Sequence, residues 1–185
     1  MGGIGRNMAK KCRAFGMKIQ YHNRKRLPST DLEGGAEYVS MEELLKSSDV
    51  ISIHVPLNPH TKHLISSKQF ALMKKGVVLV NTARGAVIDE AALVQALDDG
   101  TVGSVGLDVY EEEPKVHEGL IKNPNVLLLP HMGTWTKETQ TKMEVWNIEN
   151  VRSFLKWQQG DKDELQKMSV IGEQKELVDK LAKGH

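Results

Sequence analysis

From Met17 to about Leu128, short apolar runs alternate with amphipathic segments, a pattern that predicts repeated βα units around a parallel sheet. Lys18 to Tyr21, Val50 to His54, Val77 to Asn81, Ser104 to Asp108 and Val126 to Leu129 read as strands. They are apolar almost throughout, as strands are when both faces of a sheet are covered. Between them the period changes to that of a helix. Ile4 to Phe15 is expected to be helical and to end at Gly16. Met41 to Lys46 follows Ser40 as cap, with Glu42 and Glu43 in the first turn and Glu43 completing a capping box. Ser66 to Met73 is a further helix, and Asp89 to Leu97 another, capped by Asp89 and stopped near Gly100.

Beyond the last strand, Thr136 to about Trp157 predicts a longer helix carrying Met143, Trp146, Ile148, Val151, Phe154 and Leu155. Trp146 and Trp157 lie about three helical turns apart and so share a face. This stripe reads as core or subunit contact rather than a cofactor box. After Gln158 the polar segment reads as a loosely attached tail with one helix, Glu173 to Ala182. The chain accordingly divides into residues 1–135, the strand–helix region, and residues 136–185, a helix and tail.

Composition narrows the function. A formal net charge of +1 lacks the concentrated positive field that nucleic acid requires, so nucleic acid is set aside as a partner. The single Cys12 excludes a disulfide framework within the chain and reads as a packing cysteine on the inner face of the first helix. The sequence contains neither an apolar run of about twenty residues nor a secretory leader pattern, which makes a cytoplasmic protein without a membrane span the expectation.

The chemistry is concentrated at loops. Met1-Gly2-Gly3-Ile4-Gly5-Arg6 fits the last part of a G-x-G-x-x-G fingerprint and precedes a helix and then a strand. That context places a dinucleotide pyrophosphate over Gly2, Gly3, Ile4 and Gly5 at the helix N-terminus. About twenty residues on, an NAD-specific site carries an acid on the adenosine ribose; this chain has Asn23, Arg24, Lys25 and Arg26 there. Asn23 suits the ribose, while Arg24 and Arg26 suit a 2′-phosphate, so NADPH is the preferred cofactor and NAD the second. The alternative is an exposed basic turn. Asn81-Thr82-Ala83-Arg84-Gly85, Leu107-Asp108-Val109-Tyr110-Glu111-Glu112-Glu113-Pro114 and Pro130-His131-Met132-Gly133-Thr134 then follow three successive strands. Open α/β sheets bind ligands at this side, so an arginine, a carboxylate and a histidine can converge there.

In order and spacing these segments resemble the D-isomer-specific 2-hydroxyacid dehydrogenases, whose motifs read N-x-x-R-G, L-D-V-x-x-x-E-P and P-H-x-G. The resemblance covers Met1 to about Trp157, and the wording at residues 21–24 and 130–134 is most similar to fungal glyoxylate or hydroxypyruvate reductases. It implies an α/β fold with a Rossmann-type doubly wound parallel sheet, reduction of a small 2-keto acid to the D-2-hydroxy acid, and a homodimer for the full-length protein. His131 would be the general acid, Glu113 its carboxylate partner and Arg84 the grip on the substrate carboxylate. Asp108 would hold the nicotinamide carboxamide, with His54, Pro56, Thr82 and Gly133 lining the cofactor cleft. Glu111 and Glu112 read as solvated loop charges. His60 and His63 read as loop histidines rather than metal ligands, and no metal is expected. A full family member also has a strand before the glycine loop and a substrate domain built largely ahead of it. The expectation is therefore a fragment with unpaired strand edges and little activity alone. The competing reading is a dinucleotide-sensing interaction protein of the corepressor kind, without turnover. A formate dehydrogenase is disfavoured by Glu113, where glutamine is expected.

Overall fold

The computed structural model describes residues 1–161, 163–168 and 178. The chain divides into two compact units, Met1–Gly133 and Thr134–His185.

In the first unit α1 (Gly3–Ala14) leads to β1 (Gln20–Tyr21), α2 (Thr30–Glu33) and β2 (Glu37–Tyr38). There follow α3 (Met41–Ser47), β3 (Val50–Ile53), α4 (Ser67–Phe70), β4 (Val77–Asn81), a 3-10 turn over Gly85–Val87, α5 (Glu90–Asp98), β5 (Val102–Leu107), α6 (Glu118–Lys122) and β6 (Val126–Leu128). Five of the six described strands lie on the expected apolar runs, each bounded by a polar or glycine turn that cannot continue the ladder, whereas the two-residue β2 was not expected. In α1 the inward positions are Gly5 and Ala9, with a half-buried Cys12 one turn on. Small residues on that face let the helix lie close to the sheet. Ser40 Oγ accepts from the Glu43 amide at 3.1 Å, but the described contacts hold only that half of the expected capping box. At α4 it is Gln69 Oε1 that accepts from the Ser66 amide.

All strand pairs are parallel. The sheet comes in two pieces, a four-stranded β3-β4-β5-β6 and a two-stranded β1-β2. The edges of β1 and β3 have no strand partner among the described residues beyond these pairings. Gln20 Nε2, on β1, reaches Ser47 Oγ and Ser48 Oγ at 2.7 and 2.9 Å, a side-chain link to the turn just before β3. The architecture is the parallel α/β fold of Rossmann type, and the core lies on the four-stranded piece. Leu79 of β4, Leu93 of α5 and Leu120 of α6 are fully buried there, together with Val77, Val102, Val87 and Ile88. Each such side chain contributes about 1.5–3 kcal/mol of burial.

In the second unit α7 (Lys137–Gln158) is followed by α8 (Glu164–Lys167). The expectation of a loose tail is corrected for residues 163–168. Leu165 is buried, and the Ser153 hydroxyl donates to Glu164 Oε2 at 3.0 Å. Hydrogen bonding from Lys167 is the main reason that the Glu164 carboxyl falls to about 2. The expected helix Glu173 to Ala182 lies outside the described residues, Val178 excepted. The apolar stripe on α7 is not core: Ile148, Val151 and Leu155 are at least half exposed, and Trp146 is 43% exposed. No described helix is long and apolar enough to cross a membrane.

Candidate active site

The end of β4 is shaped by Asn81, which is completely buried. Its amide nitrogen donates to the Arg84 carbonyl and its oxygen accepts from the Ala83 amide, both at 3.0 Å. One side chain thus closes the turn over residues 82–84 and presents Thr82 and Arg84 to solvent. The next residue is Gly85, where a Cβ would fall 1.8 Å from the Tyr110 carbonyl carbon. Only glycine allows the Arg84 turn to lie against the backbone that follows β5.

The segment after β5 returns to that turn. Glu113 Oε1 accepts from the Tyr110 amide at 3.0 Å, and Glu113 Oε2 lies 2.8 Å from His131 Nδ1. Burial works to raise the Glu113 carboxyl; the hydrogen bonds from His131 and Tyr110, with the Arg84 charge, outweigh it and hold the carboxyl below its ordinary value. Glu113 is therefore ionised at neutral pH, its Oε2 accepts from Nδ1–H, and Nε2 is turned away from this bond. Three strand ends, those of β4, β5 and β6, bring Arg84, Glu113 and His131 together.

His131 has φ of +53°, in the left-handed region that costs a non-glycine residue roughly 1–3 kcal/mol. The compensation comes from Asp108, which is 4% exposed and accepts from the Met132 and Gly133 amides, each at 2.7 Å. Two hydrogen bonds to a charged acceptor, about 1.5–3 kcal/mol apiece, exceed that cost. A Cβ on Gly133 would sit 2.9 Å from Asp108 Oδ2, so the close approach again requires glycine. The expected carboxamide role of Asp108 thus meets a carboxylate whose two oxygens already hold the His131 turn. A cavity of about 340 Å³ opens beside the pair, with Val116, Leu128 and Leu129 as apolar lining.

On the same side of the sheet, beside the residue that follows β3, α1 starts after Gly2 with no side-chain cap and no acid in its first turn. A Cβ at Gly2 or Gly3 would meet nothing within 4 Å, which leaves the helix N-terminus open to an anion, with Ile4 exposed beside it. His54 packs near Gly5 and bonds Ser52 Oγ at 2.9 Å; burial first, then the N-terminal ammonium, hold its imidazole below the ordinary value and neutral at pH 7. Pro56 follows in the same loop, its carbonyl accepting from Thr61 Oγ1. Asn23 Oδ1 accepts from that ammonium, and Arg24 is exposed with no side-chain partner among the described residues. Arg26 requires a correction. Its Nε and Nη2 both bind the carboxylate of Glu33, which is 6% exposed and also accepts from Tyr21 Oη. A guanidinium engaged in that way is a strut between α2 and the loop after β1, so of the two expected phosphate ligands only Arg24 is free.

Three contributors were not apparent from the sequence. Asn81 stands inside a quoted motif, yet its role as turn clamp needs the fold. Glu111, read as a solvated charge, pairs with His63, read as a loop histidine, and with Glu90. Their separation in sequence gives no local signal. His60 remains a loop residue, and no metal-binding cluster occurs among the described residues.

A helix N-terminus open to an anion at the strand ends of a parallel sheet defines the class of dinucleotide-binding α/β domains, and the histidine–carboxylate pair and the arginine stand at strand ends of the same sheet. Residues 1–133 match the model of the D-isomer specific 2-hydroxyacid dehydrogenase NAD binding domain, and the chain belongs to that family. It is 63% identical over 155 residues to 4-methyl-2-oxopentanoate reductase A of Aspergillus oryzae, covering 84% of this chain and 47% of the relative. The crystal structure of a glyoxylate reductase from Paecilomyes thermophila superposes with a TM-score of 0.81 at 60% identity, over 83% of this chain and 46% of that one. An NADPH-dependent glyoxylate/hydroxypyruvate reductase from Sinorhizobium meliloti, solved with NADP and malonate, gives 0.78 at 34% identity, over 83% and 47%. The chain spans about half the length of the curated relatives it matches.

Proposed function

We propose that this protein reduces a small 2-keto acid of the glyoxylate or hydroxypyruvate type to the D-2-hydroxy acid, with NADPH preferred over NADH. The observation that carries this reading is the 2.8 Å contact of His131 with an ionised Glu113 beside the Arg84 charge. When bound, the dinucleotide supplies the hydride. Arg84 takes the substrate carboxylate in a forked hydrogen bond and draws electron density from the keto group. His131 Nε2 delivers the proton to the keto oxygen, while Glu113 fixes the tautomer and stabilises the imidazolium form. The amides of Gly2 to Gly5 suit the pyrophosphate, Asn23 the ribose and Arg24 the 2′-phosphate. His54, Pro56, Thr82 and Gly133 line the cleft between. Cytoplasmic location and a homodimer of the longer protein belong to the same proposal. The apolar lining of the cavity favours a second substrate within this reaction, a keto acid with a branched aliphatic side chain such as the Aspergillus oryzae relative is named for.

Nucleotide binding is measured on the chain itself, and turnover on the chain and on a fusion behind the N-terminal half of the Paecilomyes thermophila reductase. We expect weak turnover by the chain alone, because His131 and Arg84 are open to water. Changing His131→Ala in the fusion should lower kcat by roughly 10²–10⁴-fold. Arg24→Ala should weaken NADPH binding about tenfold or more and leave NADH nearly unchanged. Dinucleotide binding without turnover in either form would overturn the enzyme reading in favour of a sensing protein. Glyoxylate and 4-methyl-2-oxopentanoate compared by kcat/KM decide between the substrates.

A further inference from the structure

We infer that Glu111, held between His63 and Glu90, is a positioning residue that locks the Arg84 turn to the Glu113 loop and so sets the spacing between Arg84 and the His131–Glu113 pair. The inference rests on the roles proposed above for those three residues. The two segments touch at Gly85, whose hypothetical Cβ would lie 1.8 Å from Tyr110 C and 2.4 Å from Glu111 N. Backbone contact of that kind sets how close the segments lie and leaves them free to slide. Hydrogen bonds remove the sliding.

Glu111 supplies them in two directions. Its amide donates to Glu90 Oε1 at 2.7 Å, and its own Oε2 faces the Glu90 amide at 3.5 Å, in the first turn of α5. A carboxylate at a helix N-terminus is favoured there by the exposed amides. Its other oxygen, Oε1, pairs with His63 Nε2. His63 is in turn fixed to the segment behind Arg84: its amide donates to the Ala86 carbonyl at 2.8 Å, and the Ile65 amide to Val87. His63 takes φ of +51° to do so. The path from Arg84 therefore runs through Ala86 to His63, then to Glu111, and two residues on to Glu113.

The surroundings support a latch rather than a solvated charge. The Glu111 side chain is 26% exposed and Glu90 is buried. Burial raises the Glu90 carboxyl, and the neighbouring charges of Glu111 and Glu112 add to this, while the Glu111 amide and His117 oppose it. Two carboxyl groups are kept side by side in this place, and His63 Nε2 is the side-chain nitrogen that faces Glu111.

The test uses the isotopically labelled 185-residue chain, with two signals read by NMR. One is the low-field Nδ1–H proton of His131 in its bond to Glu113; the other is exchange of the Tyr110 amide, which donates to Glu113 Oε1. Glu113→Gln should remove the first signal, and if it survives there the proposed histidine–carboxylate pairing itself is wrong. With that control positive, His63→Ala and Glu111→Gln should each broaden or abolish the His131 signal. Tyr110 exchange should rise about tenfold, the scale of one charge-assisted hydrogen bond. Protection of the core amides of Leu79 and Leu93 should stay unchanged, which separates positioning from general loosening of the fold. An unaltered His131 signal in folded His63→Ala would overturn the inference, and that surface-loop change decides the matter even where Glu111→Gln does not fold. Equal loss of protection at Tyr110 and at the core amides would overturn it too.

Discussion

Replacing Asp108 by Asn would keep the shape of the side chain and remove one of its two acceptors. One of the amides of Met132 and Gly133 would then face an NH₂ group at a site only 4% exposed. Donor against donor in a buried position costs about 1–3 kcal/mol. We expect the urea midpoint of Asp108→Asn to fall accordingly and the left-handed His131 turn to relax; an unchanged midpoint would show that the turn holds itself. The same residue illustrates what the sequence reveals. Arg84, Glu113 and His131 were legible because each sits in a short motif after an apolar run, and strand ends on one side of a parallel sheet must converge. The partners of Asp108, Asn81 and Glu111 were not legible. They are backbone amides and carbonyls, or side chains brought in from other loops, and no residue type marks them. Arg26 misled for the opposite reason: a cation in a basic turn looks free until the buried Glu33 is placed beside it.

At the level of elements, the Arg26–Glu33–Tyr21 cluster ties α2 to β1, and its pH dependence is calculable in sign. The hydrogen bond from Arg26 is the largest cause, that from Tyr21 the next, and together they hold the Glu33 carboxyl below its ordinary value near 4.5. A depressed carboxyl contributes stability that is complete above the unfolded value and is lost as pH falls through the folded one. Glu33→Gln should therefore weaken the β1–β2 piece at neutral pH. The difference from the unchanged chain should shrink as pH drops below 4.5 and vanish below the folded value. Exchange of the Val39 amide, which donates to the Tyr21 carbonyl, is the local readout; a difference that persists undiminished in acid would contradict this assignment. Elements of this size explain where sequence reading stopped. β4 and β5 have apolar runs long enough to signal themselves, whereas β2 has two residues and α2 and α6 have four and five. Such pieces are fixed by their neighbours, not by their own period.

Over the whole molecule, the α/β class and the parallel sheet were legible, since alternating apolar runs and amphipathic segments admit few other arrangements. The gap between β1 and β3 follows from the family resemblance, whose full members carry a strand before the glycine loop, and from no pattern of its own. The apolar stripe of α7 reads in sequence as covered surface, and the structure leaves it open: Ile148 is 69% exposed, Val151 60% and Leu155 50%. These positions follow an i, i+3, i+7 spacing and form one face of a 22-residue helix, with Trp146 close by. Continuous apolar surface of this kind drives association at accessible concentrations. We expect sedimentation equilibrium on the chain to show mass rising with concentration. Full burial of an aliphatic side chain is worth about 1.5–3 kcal/mol, and these are only partly exposed to begin with, so each contact contributes toward the lower end. Charging the face with Ile148→Lys and Val151→Glu should then weaken association by about ten- to a hundredfold, while the unfolding of the Met1–Gly133 unit stays where it was. A chain that is monomeric at every concentration, or an association indifferent to both substitutions, would assign self-contact to another surface, the bare edges of β1 and β3 being the next to test.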